Sequence, residues 1–159
     1  MSRGIMAYCV DTNYFVYFCW MGRDESIDII NDGGELVQAK SPVIISASRS
    51  TDIPAFYADW FFHRLDKGYS VWINPFNNVR SYISYSKTRL IVFWSKNPRP
   101  LLKYLRRLDE TGIHSYIQFT LNDYEKEGLE KNVPLLQERI DTFKRLVDRL
   151  DSDRVIWRF

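Results

Sequence analysis

The side chains in this sequence that could do chemistry follow apolar runs, and the clearest group lies in ISASRSTDIPAF (45–56). Thr51 and Asp52 are typical N-cap residues for a helix that begins near Pro54. Arg49 is different, because a cation near a helix N-terminus opposes the helix dipole and contributes nothing to capping. A guanidinium can instead bind the carboxylate or phosphate of a ligand. The segment therefore predicts a helix cap, together with a ligand contact from Arg49.

Further polar residues lie at or near the ends of later apolar runs: Asn74, Lys96, Gln118, Thr120 and Arg158. Asn74 fits either a turn or a hydrogen bond to a ligand. Lys96 fits a buried ion pair, an anion-binding group or a side chain that extends to solvent. Gln118 and Thr120 require hydrogen-bond partners, which the protein or a substrate could supply. An inward Arg158 requires an anionic partner, and both Asp52 and a ligand carboxylate are open possibilities.

Strand-like runs alternate with helical patterns along the chain, which predicts βα units and a mainly parallel sheet. The predicted strands are 43–47, 70–74, 89–95, 115–121 and 154–159. The predicted helices are 54–68, 98–112 and about 136–150, and we expect the charged run 137–154 to form a solvated helix face. The segment 75–88 has no helical stripe and predicts an extended excursion.

The two faces of each predicted strand differ in character. In HSYIQFTL (114–121) the residues Ile117, Phe119 and Leu121 share one face, and Gln118 and Thr120 share the other. A doubly wound sheet would be apolar on both faces, whereas a barrel with a ligand site at its C-terminal mouth accommodates a polar inner face. The prediction is therefore an α/β fold, a partial (βα) barrel of about five mainly parallel strands with helices on the outer face.

About five strands do not close a standard barrel, and the last predicted strand runs to Phe159. We therefore expect a barrel truncated before closure, within a longer protein. Residues 43–159 would form the N-terminal part of the barrel domain, and residues 1–42 an N-terminal extension whose structure the pattern does not predict.

Composition excludes several classes of protein. The chain has 159 residues, is 45% hydrophobic and has a formal net charge of +2, so it is globular and gives no indication of nucleic-acid binding. Its longest apolar run, residues 14–21, is far shorter than the ~20 residues of a membrane span. Two cysteines predict a reduced, cytoplasmic setting. His63 and His114 lack the company of metal ligands, so no metal site is predicted.

Five ordered segments resemble the bacterial DUF1848 family, whose members are functionally uncharacterised. They are IISASRSTDIPAFYADWF, NPFN, IVFWSKNPRPLL, YIQFTLNDY and RVIWRF. Family members carry a C-terminal cysteine cluster similar to the iron–sulfur motif of radical S-adenosylmethionine enzymes. The resemblance implies a radical-SAM-like barrel with a [4Fe–4S] cluster and S-adenosylmethionine in the full-length parent. This chain departs from the pattern, because the cysteine cluster is absent and Ser50 stands where a second Arg is usual.

Two functions follow as hypotheses. The first is a radical-SAM-like enzyme acting on an unknown small-molecule substrate. In this hypothesis the 159-residue chain is an inactive fragment without the cluster and without a cofactor of its own. The second is a cluster-free barrel that binds or hydrolyses a polar small molecule such as a sugar. It would use Trp72 and Trp94 as inward aromatics and Asp52 as acid or base, although glycoside cleavage normally requires two carboxylates.

Overall fold

The structure is a computed structural model of the chain that describes residues 6–11, 14–21, 25–48, 51–73, 78–125, 128, 130 and 132–159. For 6–11 and 14–21 it describes the backbone. The strands are β1 (Met6–Asp11), β2 (Tyr14–Met21), β3 (Ser26–Ile30), β4 (Leu36–Lys40), β5 (Ile44–Ala47), β6 (Tyr69–Ile73), β7 (Arg80–Ser84), β8 (Leu90–Ser95), β9 (His114–Thr120) and β10 (Val155–Arg158). The helices are α1 (Ile53–Phe56), α2 (Ala58–Asp66), a 3₁₀ helix (Arg99–Tyr104), α3 (Leu105–Glu110) and α4 (Leu136–Leu150).

The larger sheet has six strands in the order β1-β2-β5-β8-β9-β10. β5, β8, β9 and β10 are mutually parallel, as predicted for four of the five apolar runs. A hairpin of β1 and β2 extends this sheet, and β2 pairs antiparallel with β5. The α/β class is therefore confirmed, and residues from the predicted N-terminal extension form part of the sheet.

The smaller sheet has four strands in the order β3-β4-β7-β6. The strand predicted at 70–74 forms as β6, but its predicted place among the parallel strands is wrong, because it pairs antiparallel with β7. The excursion after β6 supplies β7 as a close partner, and a short connection permits only antiparallel pairing. β5 and β8 consequently pair directly with each other. Both sheets are open over the described residues, so the structure does not confirm a barrel.

One face of the parallel strands packs against the helices. Ile91 and Phe93 on β8 are fully buried, as are Ile117 and Phe119 on β9. Fully buried residues of the covering elements complete this core: Ile53, Phe61, Phe62, Leu101, Leu105, Leu108, Leu146 and Leu150. Along β8 and β9 buried residues alternate with half-buried or exposed ones, which confirms the predicted difference between the two faces.

Helix α2 connects the two sheets. The ring of Phe61 lies 5.4 Å from the ring of Phe93 in the larger sheet and 6.1 Å from that of Tyr85, which follows β7. Arg64 is buried on the same helix, and its guanidinium donates to the Asp32 carboxylate at 2.8 Å. Apolar contact and an ion pair therefore hold the smaller sheet against the helix layer.

The predicted helix over 54–68 is broken into α1 and α2. The break lies at Tyr57, whose backbone angles of φ −130° and ψ 21° are not helical. Phe56, the last residue of α1, is 66% exposed and lies outside the helix–sheet core. Gly68 ends the second segment as predicted, with a φ of +79° that favours glycine. Over the described residues, no helix is both long and apolar enough to cross a bilayer.

We expect Phe93→Ala to lower the free energy of unfolding by about 3–5 kcal/mol, because removal of a fully buried ring leaves a cavity. The matched control is Phe159→Ala, whose ring is 95% exposed and should contribute less than about 1 kcal/mol. Urea unfolding followed by circular dichroism measures both changes. Equal losses for the two variants would contradict the assignment of the core.

Candidate functional site

The inner face of the larger sheet lies opposite the helices and carries several of the sequence-predicted residues. We define it by Ser46, Trp94, Gln118, Thr120 and Arg158. Trp94 and Gln118 are register partners in β8 and β9, and Thr120 and Arg158 are partners in β9 and β10. The first four residues are half-buried and Arg158 is exposed. The inner face is therefore polar and accessible toward the C-terminal ends of the parallel strands.

Three of these side chains contact one another across adjacent strands. The guanidinium carbon of Arg158 lies 4.4 Å from the ring centroid of Trp94, a cation–π contact. Nη1 of Arg158 donates to Oε1 of Gln118 at 3.1 Å. In the described part of the chain no carboxylate pairs with Arg158, and Asp52 has other partners. The positive charge of Arg158 is therefore held in place without being neutralised.

Two buried polar atoms near this edge have no hydrogen-bond partner in the structure. They are the indole nitrogen Nε1 of Trp94 and the hydroxyl Oγ of Ser48. Ser48 follows β5 directly and has a φ of +86°, an unfavourable conformation for a residue other than glycine. Buried polar groups nearly always have partners, and strained residues concentrate at functional sites. Both features are those of a site that receives a polar ligand or ordered water.

The side chain of Asp52 forms hydrogen bonds both to helix α1 and to the end of β8. One carboxylate oxygen accepts from the backbone N–H of Ala55 at 3.0 Å, which confirms the predicted capping role. The other oxygen accepts from Ser95 Oγ at 2.8 Å and from the backbone N–H of Lys96 at 3.0 Å. Burial raises the pKa of Asp52 above its usual value, and the hydrogen bonds from Ser95, Lys96 and Ala55 oppose that rise. The carboxylate is thus engaged on both oxygens in positioning the backbone.

The remaining predicted residues fall into separate places. Lys96 forms an ion pair with Glu130 in the connection between β9 and α4, so its charge is neutralised by a residue outside the strands. The backbone carbonyl of Thr51 accepts from the N–H of Ile53 at 3.1 Å. Arg49 and Asn74 lie outside the described residues. Whether any of the eight predicted residues binds substrate or cofactor stays a prediction.

The prediction of a solvated charged face over 137–154 is wrong at Arg139, which is 2% exposed and lies on the packed side of α4. Sequence reasoning missed Arg139, although its spacing from Leu136 and Phe143 places it on the apolar stripe. Sequence reasoning missed Ser95 as well. It could have been identified as a polar residue on the same face of β8 as the buried residues Ile91 and Phe93.

The residues of this chain do not fit an iron–sulfur cluster, which normally takes cysteine thiolates as its ligands. The sequence has two cysteines, Cys9 and Cys19. Their register partners in the β1–β2 hairpin are Val16 and Met6, so the two cysteines do not face each other. Within the described residues, no three or more His, Cys, Asp or Glu side chains are grouped to hold a metal ion.

Fold and site together define an α/β protein with polar side chains at the C-terminal ends of parallel strands. The chain belongs to the DUF1848 family, described as a domain of unknown function, whose family model matches residues 44–159. No curated protein and no solved structure matches the chain. The predicted family membership is therefore confirmed.

We expect the contribution of Asp52 to stability to decline with rising pH. Because burial raises its folded-state pKa above the ordinary 3.8, the folded protein binds this proton more tightly than the unfolded chain. The contribution is therefore fully present below about pH 3.8 and is lost as the pH rises through the raised pKa.

The measurement compares the free energies of unfolding of the wild type and Asp52→Asn between about pH 3.5 and pH 7. The advantage of the wild type over the variant should shrink across this range. An advantage that grows with pH would show that the hydrogen bonds to the carboxylate outweigh the effect of its burial.

Proposed function

We propose that the inner face of the larger sheet binds a small anionic molecule through Arg158, with Trp94 and Gln118 holding the guanidinium in position. The observation that carries this proposal is the charge of Arg158, which lies at the C-terminal edge of parallel strands with no carboxylate partner in the described chain. Ligands of open α/β sheets bind in the crevice outside the carboxyl ends of the strands. The position of Arg158 is consistent with that rule.

The hydrogen bonds of this group support binding of a carboxylate or phosphate. Arg158 gives one N–H to Gln118 and retains others, and a guanidinium forms paired hydrogen bonds with planar anions. The Gln118 amide accepts through Oε1, which leaves its NH₂ group as a donor. The free N–H groups of Arg158 and the NH₂ group of Gln118 would both donate, which favours an acceptor-rich ligand.

For DUF1848 proteins that carry the cysteine cluster we propose a radical-SAM-like partial (βα) barrel that acts on an unknown small-molecule substrate. The resemblance in the five ordered segments, and the family match that includes them, support this reading. A longer DUF1848 polypeptide would supply the cysteines for a [4Fe–4S] cluster, and S-adenosylmethionine would bind there. Because the residues present do not fit the cluster, this chain would bind a ligand without catalysing a reaction. Its two cysteines support a reducing compartment such as the bacterial cytoplasm.

The cluster-free alternative, a barrel that binds or hydrolyses a sugar, receives less support. Of its two aromatic residues, Trp72 is buried in the smaller sheet, away from Trp94 on the inner face. Both oxygens of Asp52 accept hydrogen bonds from Ala55, Ser95 and Lys96, which favours a structural role over acid–base chemistry.

We expect Arg158→Gln to weaken the binding of inorganic phosphate about tenfold or more, because a charge-assisted hydrogen bond is lost. The matched control is Arg149→Gln, which removes an exposed arginine from α4 and should leave the affinity unchanged. Nuclear magnetic resonance of the ¹⁵N-labelled chain measures both, with the indole N–H of Trp94 as the local reporter. Unchanged affinity in Arg158→Gln, or an equal loss in the control, would refute the proposed site.

We also expect the purified 159-residue chain to remain without activity after anaerobic treatment with iron and sulfide. With two cysteines it should neither develop the visible absorbance of a [4Fe–4S] cluster nor cleave S-adenosylmethionine. A DUF1848 protein that carries the cysteine cluster, treated in parallel, is the positive control. A cluster absorbance and cleavage of S-adenosylmethionine by the 159-residue chain itself would contradict the proposal that this chain binds a ligand without catalysing a reaction.

A further inference from the structure

An open cleft lies on the outer side of the helices, between the segment 99–110 and α4. Its volume is about 570 Å³, and an adjoining cavity of about 380 Å³ shares Leu102, Lys103 and Arg145 with it. At roughly 30 Å³ for a water molecule, this space is far larger than a single simple ion requires. We call these two cavities together the outer cleft.

Four cationic side chains and one carboxylate line the larger cavity of the outer cleft. Lys103 and Arg106 come from the 3₁₀ helix and α3, and Arg145, Asp148 and Arg149 come from α4. All five residues are exposed, so a ligand from solvent can reach them. The outer cleft therefore concentrates positive charge on a chain whose formal net charge is only +2.

Three of these cations form no ion pair with a carboxylate of the described residues: Arg106, Arg145 and Arg149. The neighbouring Lys103 and Arg107, by contrast, form ion pairs with Asp59 and Asp66 of α2. The positive charge of the segment 99–110 is thus neutralised on the side of α2. On the side of α4 it faces further positive charge.

The spacing of the arginines on α4 adds a repulsion. Arg145 and Arg149 are four residues apart, which places them about 6 Å apart along the helix axis and on the same face. Arg149 lies in the last turn, where the helix dipole favours a cation, but like charges at this spacing disfavour the helix. Arg106 brings a third positive charge from the facing element. A bound anionic group would relieve this repulsion.

The residues of the outer cleft favour one class of anionic ligand. None of its lining residues within the described chain is aromatic, whereas single-stranded nucleic acid binds through aromatic stacking as well as charge. Asp148 lies among the arginines and would repel a strand that carries a phosphate at every step. An acidic polypeptide can instead place carboxylates beside the arginines and a neutral residue beside Asp148.

A second copy of this chain is a poor occupant, because it would bring the same cluster of arginines to the contact. Facing surfaces of like charge disfavour association. Arginine is enriched at interfaces between different proteins, where its guanidinium forms paired hydrogen bonds with carboxylates.

We propose that the outer cleft binds a short acidic segment of a partner protein. Glutamate or aspartate side chains of this segment accept hydrogen bonds from the guanidinium groups of Arg106, Arg145 and Arg149. An apolar part of the segment packs against Leu102, which is half-buried. The outer cleft and the anion site at Arg158 share no residue and lie on opposite sides of the larger sheet, so neither proposal depends on the other.

The test is a titration of the ¹⁵N-labelled 159-residue chain with hexaglutamate, hexaglutamine and a thymidine strand of six nucleotides. We expect hexaglutamate to bind at least about tenfold more tightly than either, with shifts in the backbone amides of α3 and α4. Its affinity should fall as salt rises from about 50 mM to about 300 mM, because exposed charges are screened. Equal or tighter binding of the thymidine strand would overturn the proposal, as would the absence of saturable hexaglutamate binding at low salt.

Variants of equal net charge locate the binding. Arg145→Gln combined with Arg149→Gln should weaken hexaglutamate at least about tenfold. The matched control is Arg80→Gln combined with Arg89→Gln, which removes two exposed arginines from outside the outer cleft and should leave the affinity unchanged. Equal losses in the two double variants would show attraction to the overall charge and would refute the cleft.

The single carboxylate of the outer cleft provides a test of opposite sign. Asp148→Asn should strengthen hexaglutamate about twofold, because a repulsive charge is removed, whereas Asp28→Asn on β3 should not. Arg158→Gln should leave hexaglutamate binding unchanged, so a failure of the phosphate site and a failure of the outer cleft are distinguishable. Weaker binding in Asp148→Asn would contradict the proposed contacts.

Discussion

The carboxylate of Asp52 is the interaction on which the C-terminal edge of the parallel sheet depends. It begins α1 through Ala55 and binds the end of β8 through Ser95 and the backbone of Lys96. One side chain therefore sets the position of the first helix relative to the second parallel strand. To make these hydrogen bonds the carboxylate must be buried. Burial disfavours its charged form and therefore raises the pKa of Asp52. A residue with this many partners is better suited to shaping a site than to transferring protons within it.

The inner face beside this edge carries a positive charge, that of Arg158, which no carboxylate of the described residues neutralises. Arg158 is supported by an aromatic ring and an amide, neither of which removes its charge. Lys96, by contrast, is neutralised by Glu130, and that ion pair connects the strand end to the β9–α4 connection. The two cations thus have different roles. The charge of Arg158 is available to an anion, whereas the charge of Lys96 is paired with Glu130 of the β9–α4 connection. Both side chains lie at the end of the sheet where parallel α/β folds bind ligands.

Much of this arrangement could be predicted from periodicity. The alternation in β9 placed Ile117 and Phe119 in the core and Gln118 on the opposite face, because side chains on a strand alternate. The partner of β6 was not predictable in the same way, since pairing depends on which strand is brought close and not on the strand's own pattern. Arg139 was missed because a charged residue on a helix is usually solvated, and only tertiary contacts show that two main-chain carbonyls accept hydrogen bonds from it. The ion pair of Lys96 likewise depends on a distant connection that strand parity does not describe.

Arg158 is the residue that we propose binds an anion at the C-terminal edge of the parallel strands. The most direct measurement is an anomalous-difference map from crystals of the chain soaked in selenate. We expect the strongest selenium peak within hydrogen-bond distance of the Arg158 guanidinium, on the same side of the sheet as Trp94. The outer cleft between α3 and α4 also carries arginines, including Arg145 and Arg149. A strongest peak in that cleft, with none beside Arg158, would contradict anion binding by Arg158.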